Sequence, residues 1–168
     1  MELSINMNFS KTLIALNGPS QSGKTLSLKL LLQFIRKETE SPIYKSKKWK
    51  ECLEVHTIED LKVGITSRSD KSQKLKENLD FLIKDMNCNV VVTAINLKAK
   101  GSEEILAELE SKNWEIELIE KYPLYCNRAQ KSLHLDLNLQ AAKALWTRLH
   151  QVGKNLEIDN EPTEILKS

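Results

Sequence analysis

The feature that most restricts how this chain can fold is a change of pattern between residues 11 and 36. Lys11 to Asn17 (KTLIALN) is a short apolar run that stops at Gly18-Pro19, the signature of a buried strand delivered into a turn. From Lys24 to about Arg36 the pattern is helical: Leu28, Leu31, Leu32 and Ile35 recur at helix spacing, and Leu26, Leu30 and Phe34 widen the apolar surface. Little of such a helix can be wet, so it needs a sheet to lie against.

The rest of the chain continues in the same manner. Glu40 to Lys50 is polar, with Pro42 and the lysines around Trp49, and reads as a surface loop or weak edge strand. Cys52–Ile58 and Leu61–Ser67 alternate about a short turn at Glu59-Asp60, which predicts a β-hairpin. Lys71 to Asn87 puts Leu75, Leu79, Leu82, Ile83 and Met86 on one helical face, and Asn89 to Ile95 (NVVVTAI) is the clearest buried strand. Ser102 is placed to cap a helix over Glu103–Ser111, whose first turn carries Glu103 and Glu104. Trp114 to Glu120 alternates as a strand. A last helix is expected from about Asp136 to Val152, with Ala142, Leu145, Trp146 and Leu149 on one side and Gly153 as its stop.

Strand, helix, hairpin, helix, strand, helix, strand, helix calls for an α/β fold with three layers, α/β/α. The expected sheet is mostly parallel and five-stranded, with one antiparallel edge strand from the hairpin. At 168 residues the chain suits one domain, over 1–152, followed by a polar, frayed tail over 153–168. Right-handed crossovers bring the loop after Asn17 and those after Ser67, Ile95 and Glu120 to one rim.

Composition narrows the setting. With 25 basic and 23 acidic side chains the net charge is +2, which gives no reason to expect nucleic acid or an anionic membrane as partner. Cys52, Cys88 and Cys126 form no C-x-x-C pair and suggest neither a disulfide framework nor a zinc site, so a reducing, cytoplasmic setting is expected. No apolar run has the length to cross a bilayer, and Met1–Ser10 lacks the pattern of a signal peptide.

The segment Gly18-Pro19-Ser20-Gln21-Ser22-Gly23-Lys24-Thr25 carries the chemistry. Its two glycines let the backbone wrap tightly, so that successive N–H groups can point inward at phosphate oxygens. GPSQSGKT, with its strand before and helix after, resembles the P-loop NTPase superfamily, and the element order over residues 11–152 does so more loosely. By that resemblance Gly18, Ser20, Gln21, Ser22 and Gly23 cradle the phosphates of ATP, and a solvent-facing Lys24 reaches the outer ones. The Thr25 hydroxyl ligates Mg²⁺.

The second acid of such sites is less clear. Asp70, beyond the hairpin, has two readings: it holds magnesium through water, or it caps the following helix with Gln73 as its box partner. Arg68, on the same rim, is either a cationic fork for a γ-phosphate or a solvated side chain. Thr93 and Asn96 could orient water or substrate, and each also suits its strand or turn. Asn127, with Arg128, follows the last strand near where related domains hold the base, and equally suits a plain loop. His56, His134 and His150 show no metal spacing.

Within the superfamily, the hairpin resembles small GTPases, but their guanine reader Asn-Lys-x-Asp is replaced by Asn96-Leu97-Lys98-Ala99, which has no carboxylate. ATP, or weak base selectivity, is therefore expected. The loop also resembles that of small-molecule and nucleotide kinases, whose arginine-rich lid has no counterpart here. The expectation is an ATP-binding, magnesium-dependent NTPase or an ATP-dependent interaction subunit of a larger system. The alternative is a kinase that transfers the γ-phosphate. A protein partner or a homo-oligomer is compatible with either.

Overall fold

A computed structural model describes residues 11–19, 22–39, 41–47, 52–67, 72–121 and 131–159, without the side chains of 72, 131–133 and 153–159. Strand β1 (Lys11–Asn17) is enclosed on both faces, because Thr12 to Leu16 offer no exposed side chain on either side of the pleat. It lies next to the centre of a six-stranded sheet. The helix that follows it is α1 (Lys24–Glu38), after which come β2 (Tyr44–Lys45), β3 (Leu53–Ile58) and β4 (Leu61–Thr66). Next are α2 (Ser72–Asp80), ending in a π-helical turn Phe81–Asp85, and β5 (Val90–Ile95). Helix α3 (Ser102–Ser111), β6 (Trp114–Glu120) and α4 (Lys131–Asp159) complete the described chain.

The strand order is β2-β3-β4-β5-β1-β6. β4, β5, β1 and β6 run parallel, while β3 is antiparallel to β4 and β2 to β3. Alternation along the strands sorts the core into two halves. Ile14, Leu16, Val90 and Val92 meet Leu28, Leu31, Leu32 and Ile35 of α1 and Ala142, Leu145 and Leu149 of α4. Leu13, Ala15, Val91 and Ile95 face Leu75 and Leu79 of α2 and Ile105, Leu106 and Leu109 of α3. Each fully buried leucine contributes about 2 kcal/mol by leaving water, so the two-sided sheet fixes the three-layer arrangement.

Four local features differ from the pattern expected of the sequence. Of the two readings for residues 40–50 the weak edge strand is the one found, β2, which makes the sheet six-stranded rather than five-stranded and puts β3 in its interior, with Leu53, Glu54, Val55 and His56 all buried. Two residues are too few to show alternation, and β2 is held by backbone pairing with β3 and by Tyr44 packing edge-on to Phe81 at 4.8 Å. Helix α4 is 29 residues long and runs through Gly153, where a stop and a tail were expected. Glycine inside a helix costs only about 1 kcal/mol relative to alanine and does not end it without a left-handed cap. Ser102 is the first residue of α3 rather than its cap; Gly101, with φ 90°, precedes it, and the Ser102 hydroxyl makes no hydrogen bond. The helix expected to reach Asn87 instead widens into the π turn, closed by Met86 N–H donating to Phe81 O at 3.0 Å.

The hairpin matches its pattern: Glu59 and Asp60 have φ of 53° and 65°, as a two-residue turn between twisted strands requires. Cys52 and Cys88 are free and buried, and burial pushes the Cys88 thiol up to about 12. Among the described residues no helix is long and apolar enough to cross a membrane.

At its C-terminal end α1 is tied to β3 by a buried polar group. Glu54 pairs with the Arg36 guanidinium and accepts from His56 Nε2 at 2.9 Å, while His56 Nδ1 lies 3.1 Å from Thr39 Oγ1. Burial alone would raise the Glu54 carboxyl, but the hydrogen bonds from His56 and Arg36 outweigh it and hold the group below its ordinary 4.5. A depressed carboxyl stabilises the fold fully above 4.5 and loses that contribution as pH falls through the lower folded value. Glu54→Ala is expected to cost about 2 kcal/mol at pH 7 in urea denaturation, since it strands buried partners although Arg36 is half exposed. The gap between wild type and variant should shrink below pH 4.5; a gap independent of pH would contradict this account.

Candidate functional site

β1, β5 and β6 end level with one another: Asn17 is paired with Ile95 on one side and Glu120 on the other. Their following loops therefore leave the sheet at the same height. Asn17 ties them together, its amide nitrogen donating to both Glu120 oxygens at 3.0 and 3.2 Å and its oxygen accepting from Leu97 N–H at 2.9 Å. The backbone adds Gly18 N–H to Ile95 O at 3.2 Å and Lys121 N–H to Asn17 O at 2.7 Å.

From this rim the chain turns back on itself through Gly18 and Gly23. A methyl group on Gly18 would stand 2.5 Å from Lys121 O and 2.9 Å from Ser22 Oγ, so the loop is pressed against the β6 connection. The Ser22 hydroxyl is fully buried and donates to Pro19 O at 2.7 Å, which closes the loop. Gly23 then takes φ 86°, a left-handed conformation that an L side chain resists, and α1 starts at once with Lys24. The first N–H groups of a helix have no intrahelical partner and carry its positive dipole end. No acidic side chain in the first turn of α1 opposes that field.

Lys24 is only 8% exposed, not solvent-facing as expected. Its four-carbon stem folds back over the loop, so that the ammonium donates to Gly18 O and, at 3.4 Å, towards Ile95 O. Desolvation lowers its pKa. Thr25 is exposed in the first turn of the helix. Beside the loop, an open cleft of about 250 Å³ is bounded by Pro19, Asn96, Lys98, Glu120 and Lys121. Burial likewise lowers the pKa of Lys121, whose ammonium donates to Asn138 Oδ1 of α4 at 3.0 Å.

The structure thus gathers Gly18, Ser22, Gly23, Lys24 and Thr25 at one strand-to-helix junction. Ser20, Gln21, Arg68, Asp70, Asn127 and Arg128 lie outside the described residues. Thr93 stays within β5, fully buried, its hydroxyl donating to Ala94 O at 3.1 Å, so it does not reach the rim. Asn96 does, but its side-chain oxygen closes its own turn by accepting from Lys98 N–H at 3.0 Å. His150 pairs with Glu59 at 2.8 Å, far along the fold from the rim. Among the described residues no three His, Cys, Asp or Glu side chains gather into a metal site.

Asn17, Lys121 and Asn138 were not singled out in the sequence. Asn138 did carry a signal: four residues before Ala142 it falls on the apolar stripe of the last helix, a polar residue at a core position. No protein-family model matches this chain, and no curated protein matches it.

Gly23→Ala is expected to lower stability by about 2 kcal/mol, because left-handed backbone alone costs alanine about 1–2 kcal/mol. The added methyl would also stand 2.6 Å from Asn138 Nδ2 and 2.7 Å from Asn138 Cγ. Thermal denaturation measures this, and an unchanged Tm would show that the junction relaxes freely.

Proposed function

We propose that the chain binds a nucleoside triphosphate at the Gly18–Thr25 junction as a P-loop protein, and acts as a magnesium-dependent ATP hydrolase or as an ATP-switched subunit of a larger assembly. The observation that carries the reading is the buried Lys24 ammonium, held across a glycine-bounded loop by the Gly18 and Ile95 carbonyls at the positive end of α1. Neutral carbonyls compensate a buried cation only in part. Phosphate oxygens would supply negative charge beside Lys24 and accept hydrogen bonds from the N–H groups at the helix start that have no intrahelical partner.

Within that reading the work of the residues divides simply. The backbone from Gly18 to Lys24 binds and orients the triphosphate, and Ser22 keeps the loop closed through Pro19 O. Lys24 offsets charge on the outer phosphates as the bond to the leaving group lengthens. The exposed Thr25 hydroxyl suits Mg²⁺, a hard cation that keeps several waters and supplies charge neutralisation between phosphates. Asp70 is the proposed second magnesium group, through water, and Arg68 and Asn127 the proposed γ-phosphate and base contacts. The turn over residues 96–99 uses the Asn96 oxygen internally and offers no carboxylate to guanine, which supports ATP over GTP.

Lys24→Ala is expected to weaken ATP at least tenfold, since a charge-assisted contact to an anion is worth about 1.5–3 kcal/mol. Titration of a fluorescent ATP analogue measures this, with GTP as competitor expected to displace it no better than ATP does. Equal affinity of wild type and variant would sink the phosphate-loop reading. Phosphate release with and without acceptors distinguishes hydrolysis from transfer.

Asp70→Asn separates that residue's two readings, because asparagine caps a helix about as well as aspartate but offers no charge to a cation. The expected outcome is an unchanged Tm without nucleotide and a marked loss of magnesium-dependent binding or turnover. Intact magnesium dependence would return Asp70 to helix capping.

A further inference from the structure

Asn138 is fully buried between α4 and the start of α1, and both ends of its carboxamide are engaged. The oxygen accepts from the Ser27 hydroxyl at 2.7 Å and from the Lys121 ammonium at 3.0 Å. The nitrogen donates to His134 O at 2.9 Å. An ammonium only donates and a carbonyl only accepts, so these partners fix which way the amide points. A carboxylate could take the first two bonds but not the third, and a leucine none.

The node reaches both glycines of the loop. The Asn138 carboxamide occupies the space where a Gly23 side chain would be, so that a methyl there would stand 2.6 Å from Nδ2 and 2.7 Å from Cγ. Lys121, whose ammonium holds the Asn138 oxygen, presses its own backbone carbonyl to within 2.5 Å of a Gly18 methyl position. Ser27, the other donor, is buried in the first turn of α1, where its N–H donates to Gly23 O at 2.9 Å. One side chain of the last helix thus braces both glycine ends of the loop. For core packing alone a leucine would serve better, since each buried amide hydrogen bond adds little net stability and any missing one costs more.

We propose that Asn138 is a positioning residue of the phosphate loop: through Ser27, Lys121 and His134 it fixes the Gly23 peptide, and with it the N–H groups at the start of α1, in the arrangement phosphate oxygens need. The proposal rests on the phosphate-loop reading above and extends it to α4. Displacements of about 1 Å in such a cradle are enough to lose most of its complementarity.

The test is calorimetric titration of the full chain with inorganic tripolyphosphate and, separately, with ATP, each with Mg²⁺ and well below the Tm of every variant. At that temperature a loss of global stability leaves the folded fraction unchanged and cannot mimic a loss of affinity. Asn138→Ala is expected to weaken both ligands by the same factor, about tenfold or more, because the phosphates and not the base sense the loop. Asn138→Asp should not rescue, since it cannot donate to His134 O. Ser27→Ala, which removes a single bond and keeps the helix, should weaken both ligands about threefold and serves if Asn138→Ala does not fold. If wild type binds tripolyphosphate and the variants bind it equally well, Asn138 is a packing residue and the phosphate-loop reading survives. A loss for ATP alone overturns the proposal by moving the role to the base side. If wild type binds neither ligand, the phosphate-loop reading fails and the proposal with it.

Discussion

The level ending of β1 between β5 and β6 is the constraint from which the rest of the molecule follows. Asn17 is paired to Ile95 and Glu120 in parallel registers that bury β1 on both faces. A strand enclosed in this way must have helices above and below, and parallel neighbours require those helices to be crossovers. The crossovers return the chain so that loops after β1, β5 and β6 emerge together, which is why Asn17 can hold Glu120 and Leu97 N–H with one side chain. A register slip of one residue would exchange the two halves of the core and separate these loops. The site is thus a consequence of sheet pairing before it is a matter of any catalytic side chain.

Two buried charges in this protein are treated in different ways, and the difference is informative. Glu54 is hydrogen-bonded to His56 and paired with Arg36, and its carboxyl is held below the usual range. It is a satisfied structural anchor for α1. Lys24, at the other end of the same helix, has among the described residues only carbonyl oxygens as partners, and its pKa is pushed down by burial. A cation desolvated among neutral carbonyls alone is incompletely compensated on energetic grounds. The first is what a fold needs to hold a helix in place; the second is what a helix end needs if an anionic ligand is to complete it.

What could be read from the sequence was set by how local each signal is. β1, α1, the hairpin about Glu59-Asp60, β5 and β6 each declare themselves through a pattern within their own residues. β2 showed only as one of two alternatives for residues 40–50, a surface loop or a weak edge strand, because a two-residue strand is held by its pairing with β3 and the ring contact of Tyr44 with Phe81. The length of α4 was missed for the converse reason: Gly153 is a local stop signal, but glycine ends a helix only where it forms a left-handed cap, and the helix runs through it. The candidate site divides along the same line. GPSQSGKT is contiguous and legible, whereas the burial of Lys24 depends on Ile95, some 71 positions away, and the brace at Gly23 depends on Asn138 and Lys121. Asn138 could have been suspected from its place on an apolar stripe, but its partners could not.

The position of β5 bears on where a second acid can come from. It lies between β4 and β1, so the end of β4 is two strand spacings, about 10 Å, from the loop that follows Asn17. β4 also ends early, with Thr66 paired to Thr93 rather than to the last residue of β5. Ser67 N–H still donates to Cys52 O at 3.0 Å and continues the pairing with the hairpin's other strand. From there a carboxylate at Asp70 has three residues of chain, about 10 Å when extended, in which to approach the rim. On the reading proposed above, that reach covers the lateral gap with little to spare, which would favour contact through a water over direct ligation and so suit magnesium, a cation that gives up its waters reluctantly.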